Sequence, residues 1–109
     1  MKSHSTPATA GGTDAIALGE DTNAAVNGSI AIGTDSKATA NYSIAIGATH
    51  TVNPSLGGIA IGAGNTVSGS QGTAIGTNIT GTGTECIGIG RNVIVSGDYS
   101  VAMGYGTQA

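Results

Sequence analysis

Apolar residues in this chain come in pairs, separated by one small residue and closed by glycine, and the pattern recurs seven times. The copies are Ile16-Ala17-Leu18-Gly19, Ile30-Ala31-Ile32-Gly33, Ile44-Ala45-Ile46-Gly47, Ile59-Ala60-Ile61-Gly62, Thr73-Ala74-Ile75-Gly76, Ile87-Gly88-Ile89-Gly90 and Val101-Ala102-Met103-Gly104. From Gly19 to Gly104 the closing glycines are 14, 14, 15, 14, 14 and 14 residues apart. Within each copy large and small residues alternate, as in Ser43-Ile44-Ala45-Ile46, which is the period of a short β-strand. A repeat this regular predicts a solenoid, whose units bury apolar surface only by stacking on their neighbours.

Earlier in each unit a weaker alternation predicts a second strand with smaller inward residues: Ala24 and Val26, Ala38 and Ala40, Val67 and Gly69, Val95 and Gly97. Turn-forming residues separate the two strands, with Thr34-Asp35 and Asn92 at one corner and Asn27-Gly28, Ser70 and Asp98 at the other. About ten residues of return path bring each strand beside its equivalent one repeat later, which suits a parallel ladder and excludes a two-residue hairpin. The predicted fold is an all-β parallel β-roll of about seven 14-residue repeats over residues 13–109. Residues 1–12 are polar, without the apolar segment of a signal peptide, and are expected to be a disordered lead-in or a cloning scar.

The two faces of the main strand differ. One carries Ile or its close substitutes and is expected to point into the roll. The other carries Ala31, Ala45, Ala60, Ala74, Gly88 and Ala102, with Cys86 in the slot that Ser29, Ser43 and Ser100 fill elsewhere. That flat ladder of small residues is expected to be a subunit interface, with Cys86 a buried interfacial thiol. With the faces reversed, Ile pairs would meet around an axis between chains and the Ala ladder would fill each narrow chain.

Composition strengthens the case for assembly. The 109 residues include twenty Gly and sixteen Ala but no Phe or Trp, so large apolar bulk rests on twelve Ile, six Val, two Leu and two Met. A core this thin predicts oligomerisation. Only 8% of residues are charged and the net charge is -3, with no basic run for phosphates and no aromatic platform for bases, which argues against nucleic-acid binding. No apolar run is long enough to span a bilayer as a helix, so no membrane contact is expected of this segment.

At the repeat itself the chain resembles the head domains of trimeric autotransporter adhesins, surface proteins of Gram-negative bacteria typified by the Yersinia adhesin. The head motif reads Asn-Ser-Val-Ala-Ile-Gly-x-x-Ser, and Ser29-Ile30-Ala31-Ile32-Gly33-Thr34-Asp35-Ser36 follows it closely, with similar matches at Ser43 to Gly47 and Ser100 to Gly104. The resemblance implies a left-handed parallel β-roll, a homotrimer, exposure at the bacterial cell surface as the head of a longer outer-membrane protein, and attachment to host extracellular matrix or cells. Gly28, Tyr42 and Tyr99 stand where the motif has Asn, so collagen binding does not carry over. The extra residue of the fourth repeat, around Pro54-Ser55-Leu56-Gly57-Gly58, is expected to bulge outward, and the chain reads as an excised head segment. A trimeric β-roll of a phage tail fibre or spike is the alternative.

Candidate chemistry is sparse. Gly104-Tyr105-Gly106-Thr107-Gln108-Ala109 fits the dinucleotide fingerprint in letters but precedes no helix that could face a pyrophosphate. His4 and His50 have no metal partners at ligand spacing, and His50 is expected at an exposed turn. The scattered acids lack the calcium nonapeptide pattern. With no nucleophile, base and orienting group in any recognised arrangement, no enzyme, cofactor or metal is expected. A threonine lattice for ice is also not expected, because one equivalent slot holds Ser36, His50, Asn65, Ile79 and Val93. Outward candidates for ligand contact are Asp35, Lys37, Arg91 and the loop at Pro54.

Overall fold

A computed structural model describes residues 8–52 and 56–109, so Pro54 and the centre of the fourth-repeat loop lie outside the described residues. The strands are β1 (Thr9–Ala10), β2 (Ile16–Glu20), β3 (Asn23–Ala24), β4 (Ile30–Thr34), β5 (Lys37–Ala38), β6 (Ile44–Ala48), β7 (Thr51–Val52), β8 (Ile59–Ala63), β9 (Thr66–Val67), β10 (Thr73–Thr77), β11 (Thr80–Gly81), β12 (Ile87–Arg91), β13 (Ile94–Val95) and β14 (Val101–Tyr105). They form two seven-stranded sheets: the five-residue strands in the order β14-β12-β10-β8-β6-β4-β2, and the two-residue strands in the order β1-β3-β5-β7-β9-β11-β13. Every pairing is parallel and joins equivalent residues of adjacent repeats, for instance Ile46 with Ile61 and Gly47 with Gly62. The chain is a parallel β-solenoid of about seven turns, and no helix occurs among the described residues.

The coil is closed by two corners, each holding one residue in the left-handed region. Asp35 and Asn92 occupy one corner at φ 53° and 55°, and Gly28, Tyr42 and Tyr99 the other at φ 65°, 60° and 56°. At each corner this residue donates its N–H along the solenoid axis to the previous coil, as in Asp35 N to Glu20 O at 2.8 Å and Tyr42 N to Asn27 O at 2.9 Å. The inter-coil ladder therefore continues around the turns, and backbone polar groups there stay paired. Asn and Asp tolerate that conformation; Tyr42 and Tyr99 adopt it at a cost of about 1 kcal/mol.

The repeat glycines serve a different end. Their φ runs from 115° to 136°, and a Cβ built on Gly33 would lie 1.8 Å from the Gly47 carbonyl oxygen. From Gly19 to Gly90 each thus sits directly against the backbone of the next coil, where no side chain fits.

Which way the main strand faces is settled by burial, and the expectation is corrected. Ala31, Ala45, Ala60, Ala74 and Cys86 have no exposed surface, Ala102 retains 5%, and Gly88 is buried, so the small-residue ladder fills the inside of the single chain. The Ile column points outward. Two sheets joined by corners of a few residues leave a narrow interior, filled by alanine opposite alanine or valine, and by Gly88 where Ile79 and Val95 enter it.

That interior is matched in size in five coils, while the coil with Val95 keeps Ser100 at the corner. Ala24 and Ala38 on the short strands face corner serines Ser29 and Ser43, whose hydroxyls donate to the Val26 and Ala40 carbonyls. Where the short strand carries Val52 or Val67 the corner residue becomes Gly58 or Gly72, and a Cβ there would stand only 2.7 or 2.9 Å from the valine Cγ1. Where it carries Gly81 the corner residue is Cys86, whose Sγ lies 3.2 Å from the place of a Gly81 Cβ. Cys86 is a volume filler in a close-packed core.

Candidate functional site

With alanine inside, the outer surface of the long sheet is aliphatic. One column runs Ile16, Ile30, Ile44, Ile59, Thr73, Ile87 and Val101, and the next Leu18, Ile32, Ile46, Ile61, Ile75, Ile89 and Met103. All are half-buried or exposed; Leu18 is 58% and Met103 60% accessible. Two parallel columns of branched side chains on a flat sheet make one continuous apolar face, of the kind that marks an interaction surface. Thr73 is its one polar member.

The repeat itself carried a signal for this orientation. Six of the seven copies have Ala in the inner slot and the seventh has Gly, whereas the outer slots accept Leu, Met, Val and Thr as well as Ile. A narrow interior limits size; an outer face tolerates variation in shape and a hydroxyl.

Of the residues expected at a ligand surface, the three that are described, Asp35, Lys37 and Arg91, do not converge. Lys37 Nζ pairs with Asp35 Oδ1 at 2.5 Å, a half-exposed surface pair worth about 0–1 kcal/mol. Arg91 ends β12, four strands along the long sheet from β4, and its guanidinium lies over the Tyr105 ring at 5.6 Å from the centroid. Pro54 lies outside the described residues. Among the described residues no three His, Cys, Asp or Glu side chains gather as metal ligands.

His50 departs from expectation. It is fully buried at the corner before β7, in the column of Ser36, Asn65, Ile79 and Val93, which is therefore interior and says nothing about an outward threonine lattice.

Cys86 is interior to one chain, so it contacts no neighbouring subunit through the inner ladder. Burial pushes its thiol up, opposed by hydrogen bonding to the backbone of Gly83, with the Asp98 charge adding to the rise. An unfolded thiol ionises near about pH 8.5 while the folded one holds its proton. The stabilising contribution is thus present below that pH and is lost as pH rises above it. Denaturation at pH 7 and pH 10 is expected to show a drop in stability that shrinks in Cys86→Ser; an unchanged drop would mean that other groups carry it.

Comparison with known families places these features. The model described as YadA head domain repeat, in two copies, matches residues 10–36, 27–49, 56–78 and 82–109, together most of the chain. The longer internal unmatched stretch, 50–55, falls within the coil that has the extra residue. No curated protein matches the chain. A parallel solenoid of fourteen-residue coils, with its glycines locked against the next coil and head-repeat matches from residue 10 to residue 109, belongs to the YadA head-repeat family of trimeric autotransporter adhesins.

Proposed function

We propose that this chain is a head segment of a bacterial surface adhesin that works as a homotrimer of left-handed β-rolls packed through the outward aliphatic face. The observation that carries the reading is the pair of Ile columns: thirteen of their fourteen positions are aliphatic, where a chain ending its assembly at one copy would carry polar residues. Burying that face against two other copies supplies the apolar area that each thin coil lacks. The small-residue ladder is not proposed as an interface.

The short-strand sheet and the corners would then face solvent and carry ligand contacts. With the Asp35–Lys37 pair and Arg91 on different parts of the rod, attachment to host matrix or cell-surface molecules rests on many weak, repeated contacts multiplied by three chains. Avidity of that kind exceeds single-site affinity by about 10²–10⁴. The test is adhesion of purified head to immobilised matrix proteins, comparing assembled protein with an assembly-deficient variant. Binding by the assembled form that falls at least about 100-fold in the variant supports the proposal; equal binding by both, or none by the assembled form, overturns it.

A further inference from the structure

The interior corner column before the short strands changes character along the rod. Its members Thr22, Ser36, His50, Asn65, Ile79 and Val93 are all buried, the first four polar and the last two aliphatic. The hydroxyls of Thr22 and Ser36 each donate to one carbonyl, of Gly19 and Gly47, at 3.1 Å. His50 and Asn65 do more, because their side chains bond in series across coils. His50 Nε2 lies 2.8 Å from the Ile46 carbonyl oxygen, and Nδ1 lies 3.3 Å from the Asn65 backbone nitrogen. A backbone N–H can only donate, so Nδ1 is the acceptor, and Nε2 carries the proton that it gives to Ile46. Asn65 then accepts from the Ile79 N–H through Oδ1 at 2.9 Å, and its Nδ2 donates to the carbonyls of Ile61 and Gly76 at 3.0 and 3.1 Å. The chain of bonds links three successive coils, and every polar atom of both side chains is engaged.

This chain of bonds stands beside the one irregular coil. The spacing from Gly47 to Gly62 is 15 residues against 14 elsewhere, and the extra residue falls after β7. His50 immediately precedes β7, and Asn65 immediately precedes β9 in the next coil. A parallel ladder whose long strand has nearly the same pair of outward residues in each coil gives little penalty to a slip in stacking, and a coil of different length is where such a slip would start. Satisfied buried polar groups oppose it, since any other register leaves them unpaired in the core.

We infer that His50 and Asn65 form an internal clamp that carries the coil register past the long coil, so that residues added to that coil leave the stacking intact. The inference does not depend on the adhesive reading.

A double-mutant cycle tests it, with all four proteins unfolded in urea at one protein concentration. One change is a Gly-Ser-Gly-Ser insertion after Ser55; the other is His50→Val, a residue type that Val93 already places in this column. The insertion alone is expected to shift the unfolding constant by about 3-fold, the scale of loop-closure entropy. Combined with His50→Val, the loss should exceed the product of the two single effects by more than about 5-fold. A smaller coupling overturns the clamp. Hydrogen exchange on the unaltered chain decides the matter even where His50→Val fails to fold. The Asn65 and Ile79 amides should exchange as slowly as those of Thr66 and Thr80, which donate to backbone carbonyls at 2.8 and 2.9 Å. Exchange more than about 10-fold faster would show that the side-chain bonds open on their own and hold nothing.

Discussion

Gly33→Ala is expected to prevent the coils from stacking. The new Cβ would lie 1.8 Å from the Gly47 oxygen and 2.8 Å from its carbonyl carbon, both backbone atoms held in the ladder, and φ of 125° is itself unfavourable for any side chain. Relief would need adjacent coils to part, breaking hydrogen bonds on both sheets. The loss should exceed about 4–5 kcal/mol, a large share of the about 5–15 kcal/mol that holds a domain together. Gly64→Ala is the matched control. Gly64 also has positive φ, 67°, but nothing lies within 4 Å of its added Cβ, and the equivalent corner position holds Asn78 and Asn92 in later coils. That change should cost only about 1–2 kcal/mol, the ordinary penalty of the left-handed region. Thermal unfolding followed by far-ultraviolet circular dichroism separates the two; comparable losses would mean that conformation, rather than contact with the next coil, explains the glycine column.

Ile61→Glu should abolish assembly while leaving the inside of the coil untouched. Ile61 lies in the middle of the long sheet and points outward, so three copies of the carboxylate would be forced into an apolar interface, each at a cost of several kcal/mol. Ala60→Leu makes the opposite error one residue away. Ala60 has no exposed surface, and added bulk in so narrow an interior should unfold the chain rather than separate the subunits. Light scattering and circular dichroism on the two variants read out the direction of the strand. Dissociation by Ala60→Leu with intact assembly in Ile61→Glu would restore the small-residue ladder as the interface.

The fold was legible in the chain because the repeat states it many times. Fourteen residues, one alternating quartet and two sets of turn residues leave little besides a parallel roll, and the corners fall at the expected Asp35, Asn92 and Gly28. The direction of the faces was not legible from alternation, because a period of two is the same seen from either side of a sheet. Deciding it required the width of the interior, which depends on how few residues the corners span. His50 was misread for a related reason. It sits next to turn residues, yet the corner bends so tightly that the residue after the left-handed Thr49 points inward. The size matching of Val67 with Gly72 and of Gly81 with Cys86 pairs a short-strand residue with a corner residue, so it emerges only once the coil is closed. Contacts with a ligand have no such internal echo, and Asp35, Lys37 and Arg91 stand as separate surface groups.

The central claim is that the outward Ile columns hold three chains together. Mass in solution by light scattering, across a dilution series, tests it most directly. The account predicts a particle of three times the 10.4 kDa chain that keeps its β signature and persists on dilution. A folded monomer at every concentration would contradict it, showing that a single thin coil is stable with its aliphatic face in water.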